Sequence, residues 1–225
     1  MRRLTTILLL LLSLAAFAQS GRTTDFGGIV SAEASAGMGG PWGLSVEEEL
    51  RFDHNCTRFD RWLNSVGVDY SCLHNRMSIG LTADYIRRHN DVGYFENRGR
   101  IGLQGTYTEE YRRFKFQGRS KLLGTFFDES TGEHRLNPRV YWRNRLKVSY
   151  QYPNSRFKYS LSAELFWLTN DPRGSYVDNI RTVFAVDYRL ARRYSIAAFA
   201  RMDNDLQVKE PVDRFYVGVT LKAKY

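Results

Sequence analysis

The sequence predicts an all-β protein: a single transmembrane, antiparallel, up-and-down β-barrel of about ten strands, with twelve as the alternative. Three observations lead there. Apolar and polar residues alternate with a period of two along most of the chain. The alternating runs extend to about ten residues or more, the length a tilted strand needs to cross a bilayer, whereas globular strands average about five or six. The connections between runs alternate between short and longer, as the two rims of a membrane barrel do.

The chain opens with "MRRLTTILLLLLSLAAFAQS", which has basic Arg2 and Arg3, an apolar run from Ile7 to Leu14, and small residues at Ala16 and Ala18. This is the layout of a cleaved secretory signal peptide, residues 1–18, ahead of a barrel over residues 19–225. The apolar run is too short to span about 30 Å of hydrocarbon as a helix. The paired arginines lack the longer polar motif of twin-arginine export, and no Cys near the cleavage point offers a lipid attachment site. Removing residues 1–18 takes away two arginines and no acid, so the formal charge of +9 becomes +7. A basic exported chain could meet acidic lipid, nucleic acid or anionic polysaccharide. No zinc-finger spacing, helix-turn-helix pattern or basic tail is present, so no nucleic-acid partner is expected.

The Gly- and Ala-rich "GGIVSAEASAGMGG" alternates, either as an additional strand or as a segment at the barrel mouth; the role of residues 19–41 stays open. Ten strands follow from Trp42. In "WGLSVEEELRFD", Trp42, Leu44, Val46, Leu50 and Phe52 oppose Glu47, Glu49, Arg51 and Asp53, and Glu48 breaks the apolar face. "WLNSVGVDYSC" continues the pattern and places Asp69 on a polar face. "RMSIGLTADY" opposes Met77, Ile79 and Leu81 to Ser78, Thr82 and Asp84. "RIGLQGTY" alternates as well. "RFKFQGRSKL" opposes Phe114, Phe116 and Leu122 to Arg113, Lys115, Arg119 and Lys121. "VYWRNRLKVSY" carries Arg143, Arg145 and Lys147 on its polar face, with Asn144 as the exception. "FKYSLSAELFW" carries Glu164, and "IRTVFAVDYRL", with Asp187, and "YSIAAFARM" complete the series before the final strand.

The apolar faces never gather the bulky core of a soluble sandwich, and aromatics such as Trp42, Phe52, Tyr85, Tyr150, Phe157 and Trp167 cluster at strand ends, as interfacial girdles do. "CLHN", "TEEY", "QYPNSR" and "ARR" read as short periplasmic turns. The links around 53–60, 88–96, 128–138, 169–177 and 204–213 read as longer outer loops. The C-terminal "YVGVTLKAKY" alternates Val217, Val219, Leu221, Ala223 and Tyr225 against polar neighbours. In a closed barrel this last strand has no exposed edge. Its C-terminus lies in the periplasm, and its terminal aromatic, Tyr225, is similar to the signal read by the barrel assembly machinery. That machinery and outer-membrane lipid are the expected partners, with the oligomeric state open.

Taken together, "WGLSVEEELRFD", "RRHNDVGYFENRGR", "RNRLKVSY" and "SAELFW" resemble the DUF2490 family of small outer-membrane β-barrels, a domain of unknown function, across essentially the mature chain. The resemblance implies the barrel fold and an outer-membrane address. It carries no catalytic residues to transfer.

Chemistry finds little support in the residues. A lipid hydrolase needs a His within reach of a Ser, oriented by a third group, yet His54, His74, His89 and His134 all fall in predicted loops or turns. Their spacings match no metal site, and Gly27-Gly28 and Gly39-Gly40 precede no helix that would make a phosphate loop. The expectation is no enzyme, no cofactor and no metal. Cys56 and Cys72 would sit at opposite ends of one strand, too far apart for a disulfide. The strong constellation is the inward charge: Arg113, Lys115, Arg119 and Lys121 beside Arg143, Arg145 and Lys147, with Glu47, Glu49, Arg51, Asp69, Asp84, Glu164 and Asp187 around them. Enough acids are present to pair many of the bases, so the expected interior is a charge-filled lumen in a barrel of structural or interaction role. The alternative is a small anion-selective pore or binder of anionic solutes, and a lipid-modifying enzyme is the distant one.

Overall fold

The structure, a computed structural model, describes residues 23–89, 93–128, 136–207 and 211–225; the expected signal segment, His134 and parts of three links lie outside them. Eleven strands close on themselves: β1 Thr23–Gly39, β2 Trp42–Asp53, β3 Arg58–Cys72, β4 Met77–His89, β5 Phe95–Tyr111, β6 Phe114–Phe127, β7 Arg139–Gln151, β8 Phe157–Leu168, β9 Tyr176–Arg189, β10 Tyr194–Asp205 and β11 Val212–Lys224. Each pairs antiparallel with its sequence neighbour. The seam between β1 and β11 is parallel, with Thr23 opposite Val212 and Ser35 opposite Lys224. The ten strands counted from Trp42 are therefore present, and the Gly- and Ala-rich stretch before them is an eleventh.

The odd number follows from β1. Its 17 residues alternate through Ser31, and joining β11 on one side and β2 on the other satisfies the backbone groups of both would-be edges. Ser31 and Thr220 reinforce the seam with a buried hydroxyl–hydroxyl hydrogen bond of 2.8 Å. Because β1 and β11 run the same way, Thr23 stands at one rim and Tyr225 at the other.

The alternation places apolar side chains outside. Val217, Val219 and Leu221 are 44%, 42% and 49% exposed, while Tyr216 and Thr220 on the same strand are buried. That is the reverse of a water-soluble barrel and is what hydrocarbon around the wall requires. Aromatic pairs mark two levels on this face. Trp42 packs on Tyr70, Phe114 on Tyr150, and Phe157 on Tyr188 toward the Tyr225 rim. Trp142 stacks on Trp167 and Phe52 meets Phe59 toward the opposite rim. Glu48, the acid out of pattern, does face outward, and the Trp62 indole Nε1 donates to its carboxylate at 2.9 Å. That bond and the aliphatic wall around it are how the strand accommodates a charge on its apolar face.

The links at the Tyr225 rim are residues 40–41, 73–76, 112–113, 152–156 and 190–193; those at the opposite rim are 54–57, 90–94, 128–138, 169–175 and 206–211. Short turns on one side and longer links on the other hold as expected, with two adjustments. The link expected over 53–60 is only 54–57, where His54, Asn55 and Cys56 all take positive φ in a tight turn whose His54 and Asn55 amides donate to the Asp25 carboxylate. "TEEY" is strand, not turn: β5 continues through Tyr111, opposite Phe114, and the reversal is made by Arg112 and Arg113, with Arg112 at φ 56°. His89 likewise closes β4 instead of lying in a loop. Cys56 in the 54–57 turn and Cys72 at the far end of β3 are both free, as their separation along one strand requires.

Candidate functional site: a charged lumen

The inward faces of the strands carry the charge, and two cavities occupy the lumen. One, of about 520 Å³, lies toward the rim opposite Tyr225 and is lined by both charges: twelve Lys or Arg and eight Asp or Glu. The other, of about 730 Å³, opens toward the Tyr225 rim, where ten Lys or Arg meet only three acids, Glu33, Glu47 and Asp187. Glu47, Ser65, Arg119 and Lys121 line both cavities and define the waist between them.

The first cavity is a set of buried ion pairs. Glu164 is held by Arg119 at 2.7 Å and by Arg143 at 3.0 Å. Asp203 accepts from Arg181 and Arg201, Asp60 from Arg61 and Arg88, and Asp84 meets Arg100 at 3.1 Å. Glu49 pairs with Arg51, whose side chain is only 6% exposed. Charges withdrawn from water this far need partners with good geometry, and two aromatic rings help. The Arg51 and Arg201 guanidiniums lie 5.1 and 5.3 Å from the Tyr216 ring centroid, and Arg143 and Arg181 flank Phe166 at 4.3 and 4.7 Å. Gly27 makes room for this packing, because a Cβ there would collide with the Tyr216 ring.

The second cavity is different in kind. Lys222 meets Asp187 at 2.8 Å, but among the described residues Lys121 and Lys158, and Lys147 on the inward face of β7, make no ion pair, and Arg145 spends an Nη on the Gln117 amide instead of an acid. The strands facing these cations across the cavity supply the acids Glu33 and Glu47 among the neutral Ser35, Ser45, Ser65, Thr82 and Gln104.

Of the residues expected in the lumen, Glu47, Glu49, Arg51, Asp84, Arg119, Lys121 and Arg143 line the first cavity, and Arg145 and Asp187 line the second. Glu164 lies buried against the wall, Asp69 faces inward over Gly80 and accepts from Gln104 at 3.3 Å, and Lys147 shares the inward face of β7 with Arg143 and Arg145. Two sit at the rim. Arg113 belongs to the exposed turn before β6, because β5 runs longer than its pattern implied. Lys115 pairs with Glu110 at 2.9 Å, its side chain 45% exposed. Sequence reasoning missed Asp60, Arg100, Arg181, Arg201 and Asp203. The signal was present: Arg201, inside "YSIAAFARM", and Asp203, one residue beyond it, continue the inward parity of Ser195 and Ala197. Tyr225 lies outside the lumen at the seam. Its amide donates to Ser35 O at 2.8 Å, its carbonyl accepts from Gly37, and its hydroxyl meets that of Tyr194 at 2.8 Å.

A histidine with two acids is the one grouping of metal-ligand type among the described residues: Asp25, Asp53 and His54. Asp53 is already held by both Arg58 nitrogens at 2.9 Å, and Asp25 by two backbone amides, so these oxygens are occupied in stabilising the turn.

A closed barrel with an apolar outer wall and a charged lumen defines the class: a membrane-type β-barrel. A solved structure described as a NanC porin in a rhombohedral crystal form matches with a TM-score of 0.50 at 13% identity, over 79% of this chain and 86% of that one, a likeness of fold. An anion-selective porin from Comamonas acidovorans matches with a TM-score of 0.37 at 13% identity, over 83% of this chain and 53% of that one. No curated protein matches in sequence. The model of the family described as "Protein of unknown function (DUF2490)" matches residues 29–209, and the chain belongs to that family.

Proposed function

We propose that this protein is an outer-membrane barrel that admits small anions to its lumen, with the Tyr225 rim in the periplasm and no catalytic step. The observation that carries the reading is the ten-to-three excess of cationic over acidic residues lining the cavity at that rim. Low-dielectric walls focus the field of such a cluster and concentrate counter-ions in the opening. Three of these cations stand at successive levels, Lys158 near the rim, then Arg145, then Lys121 at the waist, and Lys147 lies on the inward face of β7 between Lys158 and Arg145. An anion entering there meets a cation at each level.

The orientation rests on the shorter turns at the Tyr225 rim, the arrangement of bacterial barrels whose turns face the periplasm. The signal-like segment over residues 1–18 supports export.

The second reading is a structural barrel with a plugged lumen, and the observation favouring it is the row of Arg–carboxylate pairs in the first cavity. Flux separates the two. Proteoliposomes containing the purified full chain and a chloride-quenched dye should lose fluorescence on external chloride addition faster than empty vesicles. Equal rates would support the plugged barrel.

A further inference from the structure

Lys121 is the cation of the lumen whose surroundings least explain it. The residue is only 8% exposed, and among the described residues its ammonium has no ion-pair or hydrogen-bond partner. Glu47 shares the waist without forming an ion pair with it, and two other acids nearby are committed elsewhere. Glu164 is held by Arg119 and Arg143, and Asp84 by Arg100 and by the Ser65 hydroxyl at 2.6 Å. The residue is largely buried but lines both cavities, so an acceptor entering the waist reaches its ammonium.

One further donor stands beside it and another lines the same cavity. The Lys121 stem crosses β5 at Gly102: a Cβ on that glycine would stand 2.5 Å from Lys121 Cε and 2.8 Å from Thr82 Oγ1. Lys121 and Thr82 thus converge over a position kept clear by glycine, and Thr82 Oγ1 is itself buried with no hydrogen-bond partner. Arg145, two residues past Lys121's partner Arg143 on the β6–β7 ladder, has a buried Nε with no partner. An ammonium, a hydroxyl and a guanidinium N–H, all lacking acceptors and all lining the same cavity, make a set of donors with nothing to receive them.

We infer that Lys121, Thr82 and Arg145 form a binding site for one oxyanion group, a carboxylate, phosphate or sulfate, at the waist where the two cavities meet. The inference deepens the reading of the lumen as a place for anions and rests on it. A solute reaching the waist from the Tyr225 rim exchanges water for these three donors. Glu47, which shares the waist, opposes occupancy by its charge, and this keeps binding reversible.

The test is calorimetric titration of the full chain in non-ionic detergent with acetate, inorganic phosphate and sulfate in turn, at low chloride. At least one should bind saturably at one site per chain, and the one that binds identifies the source of the group. Charge-assisted contacts of this kind correspond to about tenfold or more in affinity, so Lys121→Met should weaken binding by at least about tenfold. Lys121→Arg should retain most of it, Thr82→Val should weaken it severalfold with an unchanged unfolding midpoint, and Glu47→Gln should tighten it. Absence of saturable binding by all three anions up to about 10 mM, or unchanged affinity in Lys121→Met, would overturn the site. If Lys121→Met does not fold, unchanged affinity in Thr82→Val overturns it. Conductance of the same preparation is read separately. Binding without conductance removes the pathway and keeps the site; conductance without binding does the reverse.

Discussion

Glu47 and Glu49 lie two residues apart on the same face of β2 and are held differently. Glu49 is ion-paired with Arg51, both side chains nearly closed to water, whereas Glu47 stands at the waist with no ion pair among the described residues. Removing one member of a buried pair strands the other charge, so Glu49→Ala should lower stability by about 3–5 kcal/mol. Glu47→Ala should change it by less than about 1 kcal/mol while raising the preference for anions. Urea refolding midpoints in micelles, with reversal potentials alongside, check both. Asp171 gives a second residue-scale test outside the wall. Hydrogen bonds from the Arg173 side chain and backbone hold its carboxyl at about 2, below the ordinary 3.8. Because the folded value is the lower one, whatever this contact contributes is present above about pH 4 and is lost as pH falls through about 2. An NMR titration should find Asp171 near 2 in the native chain and closer to 3.8 in Arg173→Gln. The inward parity of Glu47 and Glu49 is legible from β2 alone. Which acid takes which base is not, because Glu164 meets Arg119 from two strands away, and that pairing depends on side-chain reach across the lumen.

At the scale of elements, the seam is the feature on which closure depends. β11 joins β1 in parallel, and the last residue extends that seam: Tyr225 bonds to Ser35 and Gly37 through its backbone and packs edge-on against Tyr194. Truncation before Tyr225 removes both backbone bonds, each worth about 0.5–1.5 kcal/mol, and Tyr225→Asp places a charge at the wall. Both variants should show less of the compact, heat-modifiable gel form than the native chain, with the truncation losing more; native amounts in both would show that the terminal residue is dispensable to closure. The strands from Trp42 onward are legible because period-two alternation reports which side of a wall each residue faces. β1 was ambiguous because its outward residues Ala32, Ala34 and Ala36 are small and contrast weakly with Ser31 and Ser35. The β5–β6 turn was misplaced by two residues because Thr108, Glu109 and Glu110 look like a polar link but lie on a strand that outruns the apolar band.

For the whole molecule, what matters is how the charge is divided between the two ends. Alternation alone assigns a net basic interior, and composition suggests that acids and bases neutralise one another. In three dimensions they do so unevenly. Among the described residues, the half opposite Tyr225 gathers many acids into shared Arg pairs, while the other half leaves Lys121, Lys147 and Lys158 without ion-pair partners and faces them with only a few acids among hydroxyls and amides. Such a lumen should pass or hold anions and repel cations, and the effect should weaken as salt screens the cations over about 8–10 Å at physiological strength. The most direct test is the reversal potential of the purified full chain in a planar bilayer under a potassium chloride gradient. A steady conductance whose reversal potential lies toward that of chloride, and moves toward zero at high salt, is the predicted result. No conductance above the bare bilayer, or a reversal potential toward potassium, would contradict it.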